Sequence, residues 1–363
     1  MLRAALLAIV FGVAGIFATL WLLGESVSTL GRLPLPALAV GVLLVVANYA
    51  AGAHRLWLLM RYARAPVTFI QSLRAYAVGL FTAAASPGSA GQAPAVVLSL
   101  TRDGVPASRA WSANVHIWAL DLAFLAWSLP VSLIALGRST RILRVDNIEV
   151  IAILFALAAA ALIWILQFRL EWLTVALTAI FRLRPLRRWQ QSVAAFGKRV
   201  QEANTMISSI DLLGRVWLHV LTITVYVSTL LTFYVMVRAF DPNAPLLVTM
   251  AAAQVPMVLA TFFPTPGGAG ILEVLTASIL RAGTVRVVGT YSGDLEFAPG
   301  EEIISKSGTV AAAILGWRLL TFYSRYVIGP VLSGGWFTRK RAPNTQIDAQ
   351  TEQDDAGRLS EQS

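Results

Sequence analysis

Apolar residues run along the chain in blocks of twenty or so, separated by short polar stretches rich in arginine. Six blocks read as complete spans: Ala4 to Gly24, Leu35 to Met60, Trp111 to Leu136, Ile148 to Phe168, Val216 to Phe240 and Thr309 to Leu332. Roughly 20 apolar residues in a helix cross a hydrocarbon core about 30 Å thick. In lipid every backbone N–H and C=O needs an internal partner, so a spanning segment is either a helix or a strand of a closed barrel. Barrel strands alternate apolar and polar faces, and these blocks are continuous, which leaves helices.

Two further apolar blocks are interrupted. Phe69 to Leu100 is broken at Ser86-Pro87-Gly88-Ser89-Ala90-Gly91-Gln92, and Leu246 to Leu280 at Pro264-Thr265-Pro266-Gly267-Gly268-Ala269-Gly270. Proline removes a helix donor and glycine favours unwinding, so each cluster stops its helix. The pieces that follow, Ala93 to Leu100 and Gly270 to Leu280, would rise only about 12–17 Å as helices, too little to span. Each block is therefore a re-entrant hairpin, or a full span followed by a short surface helix. Lys and Arg collect in cytoplasmic loops, which discriminates between the two. With two hairpins, and with Met1 and Arg339-Lys340-Arg341 in the cytoplasm, Arg61, Arg64, Arg102, Arg109 and the run Arg182 to Arg188 fall inside. The acidic stretch Tyr291 to Glu302 falls outside. The arginines of Gly137 to Arg144 dissent. The predicted fold is an all-α polytopic bundle of six full spans and two hairpins of opposite orientation. Paired interrupted segments of that kind point to an inverted-repeat transporter with its site where the repeats meet.

Composition agrees. Hydrophobic residues make up 57% of the 363, charged residues 13%, and mean hydropathy is +0.68. Soluble domains carry about 25% charged residues. The net charge of +10 invites a polyanion partner, but the basic residues sit between apolar blocks as in membrane loops, so no nucleic-acid binding is expected. There is no cysteine, and the three histidines are isolated, so no metal site or cofactor is expected. The apolar stretch after Arg3 exceeds the 7–15 residues of a signal h-region and reads as a retained first span. Residues 1–337 read as one membrane domain, and 338–363 as a disordered cytoplasmic tail. Between Arg169 and Leu212, Trp172, Phe181, Trp189 and Phe196 alternate with arginines and Lys198. That segment is either an amphipathic helix in the headgroup plane or a plain cytoplasmic linker.

Charge inside a membrane is costly and marks an interior face or a cavity. Asp121 shares a helical face with Asn114, Trp118 and Ser128; Asn48 and Gly52 share one with Arg55; Arg318 and Thr321 share one with Arg325. One reading is a hydrophilic groove in which Arg55 or Arg318 meets a lipid phosphate and Asp121 holds the arginines when it is empty. The other is a structural ion pair, with Arg55 and Arg325 snorkelling from span ends. Glu273 lies in the first turn after Gly270, where the helix dipole favours a carboxylate, or serves as a proton-coupling site. The glycine-rich tips Pro87, Gly88, Gly91, Gln92 and Pro264, Pro266, Gly267, Gly268, Gly270 offer helix-start amides to a phosphate, or are simply flexible. Arg74 reads as a headgroup anchor.

These residues resemble the lysylphosphatidylglycerol synthase transmembrane-region family, the flippase-like integral membrane proteins. Pro264-Thr265-Pro266-Gly267-Gly268-Ala269-Gly270-Ile271-Leu272-Glu273 is similar to that family's P-T-P-G-G-x-G-x-x-E. Arg318-Leu319-Leu320-Thr321-Phe322-Tyr323 resembles its last-helix R-L-x-T-x-Y, and Arg55-Leu56-Trp57 its second helix. Asp121 falls where an aspartate ends its E-R-x-x-D, although Ile117-Trp118 replace the Glu-Arg. Gln92 stands where the first hairpin commonly has an acid. The resemblance implies lipid handling: translocation of a phospholipid or polyprenyl-linked lipid with an anionic headgroup, in the cell membrane, with both termini cytoplasmic. The alternative is a non-transporting anchor or regulatory partner of a lipid-modifying enzyme. Relatives that make lysylphosphatidylglycerol add a soluble aminoacyltransferase domain, absent from this sequence, so lysyl transfer is not expected. With no acid/base pair at suitable spacing, nucleophile motif or metal cluster, no enzyme activity is expected.

Overall fold

The computed structural model describes residues 27–65, 67–139, 148–169, 190–263, 265, 267–281, 285–289, 295–299 and 307–333, with 17, 20, 21, 24, 171, 172, 175 and 179. Most of the first span, the Arg182 to Arg188 run, the tail, Pro264 and Pro266 lie outside them.

After a short 3-10 turn, Val27–Arg32, come α1 (Leu35–Tyr62), α2 (Phe69–Ala85), α3 (Gln92–Arg102), α4 (Ala107–Ser139) and α5 (Ile148–Phe168). Next are α6 (Gln190–Ser208), α7 (Leu212–Arg238), α8 (Leu246–Ala260) and α9 (Ile271–Arg281). A two-stranded antiparallel ribbon, β1 (Val285–Gly289) with β2 (Leu295–Pro299), interrupts the helices where the sequence pattern led only to an outer loop. The chain then forms α10 (Ser307–Arg318), a π-helical turn at Leu319–Tyr323, and α11 (Ser324–Ser333). The protein is an all-α polytopic membrane protein. Among the described residues α1, α4 and α7 are long and apolar enough to cross a bilayer.

The outward faces require lipid. Leu43, Val46, Leu154 and Leu157 are each about 60–70% exposed, which for a soluble protein would be a large sticky surface. α5 packs on α4, and two of its alanines, Ala152 and Ala159, two turns apart, are buried.

Both interrupted blocks are helical hairpins. Thr68 starts α2 with a capping box: its hydroxyl accepts from the Gln71 N–H, and the Gln71 carboxamide oxygen accepts from the Thr68 N–H at 2.7 Å. The arms of 17 and 11 residues are about 25 and 16 Å long and pack on each other. Arg74 pairs with Asp103 at 3.8 Å across the open end, a bracing role for the residue read as a headgroup anchor. α8 and α9, of 15 and 11 residues, make the second hairpin.

The last helical segment, in consecutive pieces of 12, 5 and 10 residues, serves as a ruler for both. Tyr326 donates to the Ala84 carbonyl at 2.9 Å, and Gly329 lies against Phe81 and Ala77. The first hairpin therefore runs alongside α11 with its base toward Ser333. Glu273 meets Arg318 and Leu280 packs in one core with Val310 and Ile314, so the second runs alongside α10 with its base toward Ser307. The hairpins enter from opposite ends. Hydrophobic packing divides accordingly: Phe233, Met236, Leu280, Ile314 and Trp317 fill one core, while Leu56, Met60, Leu80, Leu100 and Ile207 fill another. Arginine gathers at the first hairpin's end, where Arg109 donates to the Arg64 carbonyl at 2.8 Å and Tyr62 donates to Asp211 at 2.9 Å.

Candidate functional site

The two tips meet. Gly88 adopts a left-handed backbone (φ 54°), and a Cβ on it would lie 2.8 Å from the Thr261 carbonyl oxygen at the end of α8. Only glycine accommodates both demands. On the other side Gly267 (φ 57°) sits so close over the Phe322 ring that a side chain would overlap it. Between the tips is a cavity of about 130 Å³, whose lining includes Ser89, Thr261, Gly268, Arg318, Thr321 and Arg325. One water needs roughly 10–15 Å³ on this measure, so the space takes a small headgroup but not acyl chains. Its neighbour is a smaller gap of about 10 Å³, lined by Asn48 and sharing Thr229, Thr321 and Arg325.

The buried charges form two separate pairs. Arg55, 3% exposed, binds Asp121 at 2.5 Å and donates to the Thr222 hydroxyl at 3.1 Å, joining α1, α4 and α7. Snorkelling is thereby ruled out for Arg55. Arg318 binds Glu273 at 2.7 Å, with side-chain exposures of 5% and 0%. Its terminal nitrogens face the Gly267 carbonyl at 3.3 and 3.4 Å, and its guanidinium lies 4.0 Å from the centre of the Phe322 ring. The other oxygen of Glu273 accepts from the Gly270 N–H at 2.7 Å. Asp121 thus holds Arg55 but not Arg318. Glu273 reaches Arg318 first because the glycine turn delivers it, at a helix start, directly against α10.

Asn48 lies between the pairs. It donates to the Val225 carbonyl at 2.7 Å and the Thr229 hydroxyl at 3.2 Å, and accepts from Tyr76. Thr222 and Thr229, seven residues apart on one face of α7, make a polar seam of about 10 Å from the Arg55 pair to the cavity. Asn114 is not part of it: it donates to the Ala110 carbonyl of its own helix at 2.9 Å. Pro87, Gly91 and Gln92 belong to the first tip, where the Gly91 N–H donates to the Ser86 hydroxyl at 2.8 Å, but they do not line the cavity. Neither threonine announced itself in the sequence; only their seven-residue spacing could have.

Arg325 differs from the other two arginines. It lines both cavities, and among the described residues it makes no hydrogen bond or ion pair. The titratable groups facing it are Tyr49, Tyr76, Tyr326 and the second cation, Arg318.

A family model described as the lysylphosphatidylglycerol synthase TM region matches residues 5–287, well over half of the chain. The chain belongs to that family. A curated relative, described as a UPF0104 membrane protein of Archaeoglobus fulgidus, is 25% identical over 304 residues, covering 81% of this chain and 84% of its own. The match to the lysylphosphatidylglycerol synthase TM region includes both hairpins, Arg55, Asp121 and Glu273, and ends before α10. Arg318 and Arg325 complete the site from beyond the matched residues.

Proposed function

We propose that this protein moves a lipid between leaflets, a phospholipid or a polyprenyl-linked lipid, by passing its headgroup through the cavity between the hairpin tips. The observation that carries this reading is the meeting of two helical hairpins, entering from opposite ends, at a cation-lined cavity midway along the bundle. A phosphate crossing bare hydrocarbon loses its hydration without recompense, and a polar cavity replaces part of it while the acyl chains stay in lipid. The tips touch through Gly88 and Thr261, where small displacements of either hairpin open the cavity to one end or the other. The arginine-rich end, carrying Arg61, Arg64 and Arg109, is the cytoplasmic one in this reading, and the membrane is the cell membrane.

The competing idea is a non-transporting anchor or regulatory partner of a lipid-modifying enzyme that uses the basic segment 169–212, including α6, as its docking face. The apolar Phe196 and Val200 of that helix pack on Val115 and Ala119 of α4, while its Lys198 and Arg199 stay exposed.

The test is reconstitution into liposomes with headgroup-labelled lipids. The protein should speed exchange between leaflets over empty liposomes, and Arg318→Ala and Asp121→Ala should slow it at least about tenfold. Equal rates with and without protein across a broad lipid panel would sink the reading.

A further inference from the structure

Among the described residues three arginines lie in the middle of the bundle, and two are neutralised: Arg55 by Asp121, Arg318 by Glu273. Arg325 has no such partner among the described residues, yet it sits in the wall of the larger cavity. A charge held inside a membrane protein without a counterion is a standing cost that packing alone does not explain. In the lining of the same cavity Ser89 presents a second irregularity. It is a non-glycine residue in the left-handed region (φ 59°), next to Gly88 in the same conformation. Such backbone costs roughly 1–3 kcal/mol and persists where something needs it. Its hydroxyl makes no hydrogen bond among the described residues, whereas the hydroxyls of Thr229 and Thr321 already donate to Val225 and Trp317. The wall therefore offers one uncompensated guanidinium and one uncommitted hydroxyl donor.

We propose that this cavity is a phosphate site in which Arg325 supplies the counter-charge and the Ser89 hydroxyl a hydrogen bond. Arg318, pinned by Glu273 and Phe322, adds field without releasing its carboxylate. The ligand is a phosphate whose negative charge is not cancelled by a cation of its own; the phosphodiester of an anionic phospholipid and free phosphate share that chemistry. The inference deepens the translocation reading by naming the headgroup class and the residues that take it.

The experiment measures thermal unfolding of the full chain in phosphatidylcholine nanodiscs, with phosphatidylglycerol or sodium phosphate added. Phosphatidylglycerol should raise the midpoint in a saturable way, and phosphatidylcholine, whose phosphate is already neutralised by choline, should not. Arg325→Gln should weaken that saturation about ten- to hundredfold, the range of a charged hydrogen bond, while leaving the ligand-free midpoint unchanged or higher. Ser89→Gly keeps the backbone and removes only the hydroxyl. It should weaken binding about two- to tenfold in a protein at least as stable as the original. Protection by sodium phosphate equal to that by phosphatidylglycerol supports the site and names a free anion as its ligand. Unchanged phosphatidylglycerol binding in Arg325→Gln overturns the proposal. So does a lowered ligand-free midpoint in Arg325→Gln, because it makes Arg325 a structural group. Binding without lipid exchange in liposomes leaves the phosphate site standing and removes translocation. Undiminished exchange by Arg325→Gln does the reverse.

Discussion

Glu273 has both oxygens engaged, one by the Arg318 guanidinium and one by the Gly270 amide, and no exposed surface. Two roles make opposite demands on it. A proton-coupling carboxyl would spend its resting state neutral, so its amide replacement would cost little. A structural anion leaves Arg318 buried and unpaired when it is removed, which costs about 3–5 kcal/mol. The short contact to Arg318 and the backbone hydrogen bond favour the structural role. Glu273→Gln should therefore destabilise by about 3–5 kcal/mol in reversible unfolding from mixed micelles, and Arg318→Gln by a similar amount. The double variant should recover part of the loss, a coupling of roughly 0.5–3 kcal/mol. A cost for Glu273→Gln below about 1 kcal/mol would return the residue to the proton-coupling role.

A hairpin in a membrane stands or falls with its tip. The first tip relies on Gly88 for a left-handed backbone and for the approach of Thr261, two demands that a control can separate. Gly104 is also left-handed (φ 91°), but an added Cβ there would meet nothing within 4 Å. Gly104→Ala should cost only the backbone term, about 1–2 kcal/mol. Gly88→Ala should cost that plus the overlap with a backbone carbonyl that cannot swing aside, and it alone should slow lipid exchange. Equal midpoints for the two variants would mean that the tips do not bear on each other. These hairpins were legible in the sequence because their signal is local: proline and glycine stop a helix whatever surrounds them. The pairing of buried charges was not. A seven-residue spacing places Asp121 and Arg55 on faces of their helices without saying which helices those faces meet. Glu273 was adequately explained by the helix dipole alone, so its hold on Arg318 stayed hidden. The π-turn at Leu319–Tyr323 and the ribbon from Val285 to Pro299 were also unread. Both depend on neighbouring backbone more than on any residue preference in five-residue stretches.

For the whole molecule the question is which end faces the cytoplasm. The structure gives the two ends distinct characters. One gathers Arg61, Arg64, Arg109 and the Arg74–Asp103 brace at the base of the first hairpin. The other holds the turn between α7 and α8, with Asp241 and Asn243, and the base of the second hairpin. Arginine-rich ends are retained in the cytoplasm during insertion, so the first hairpin should enter from that side and the second from outside. The sequence contains no cysteine, so single introduced cysteines report without background. Pro106 and Asn243 are exposed loop residues at the two ends, suited to carrying them. In intact cells a membrane-impermeant maleimide should label Asn243→Cys and spare Pro106→Cys until the membrane is permeabilised. The inverse pattern would turn the bundle over but keep its hairpins opposed, and alternating access with them. Labelling of both from one side would be the damaging result. The loops at opposite ends of α11 and α10 would then share a compartment, and no headgroup could cross a bilayer by passing between the tips.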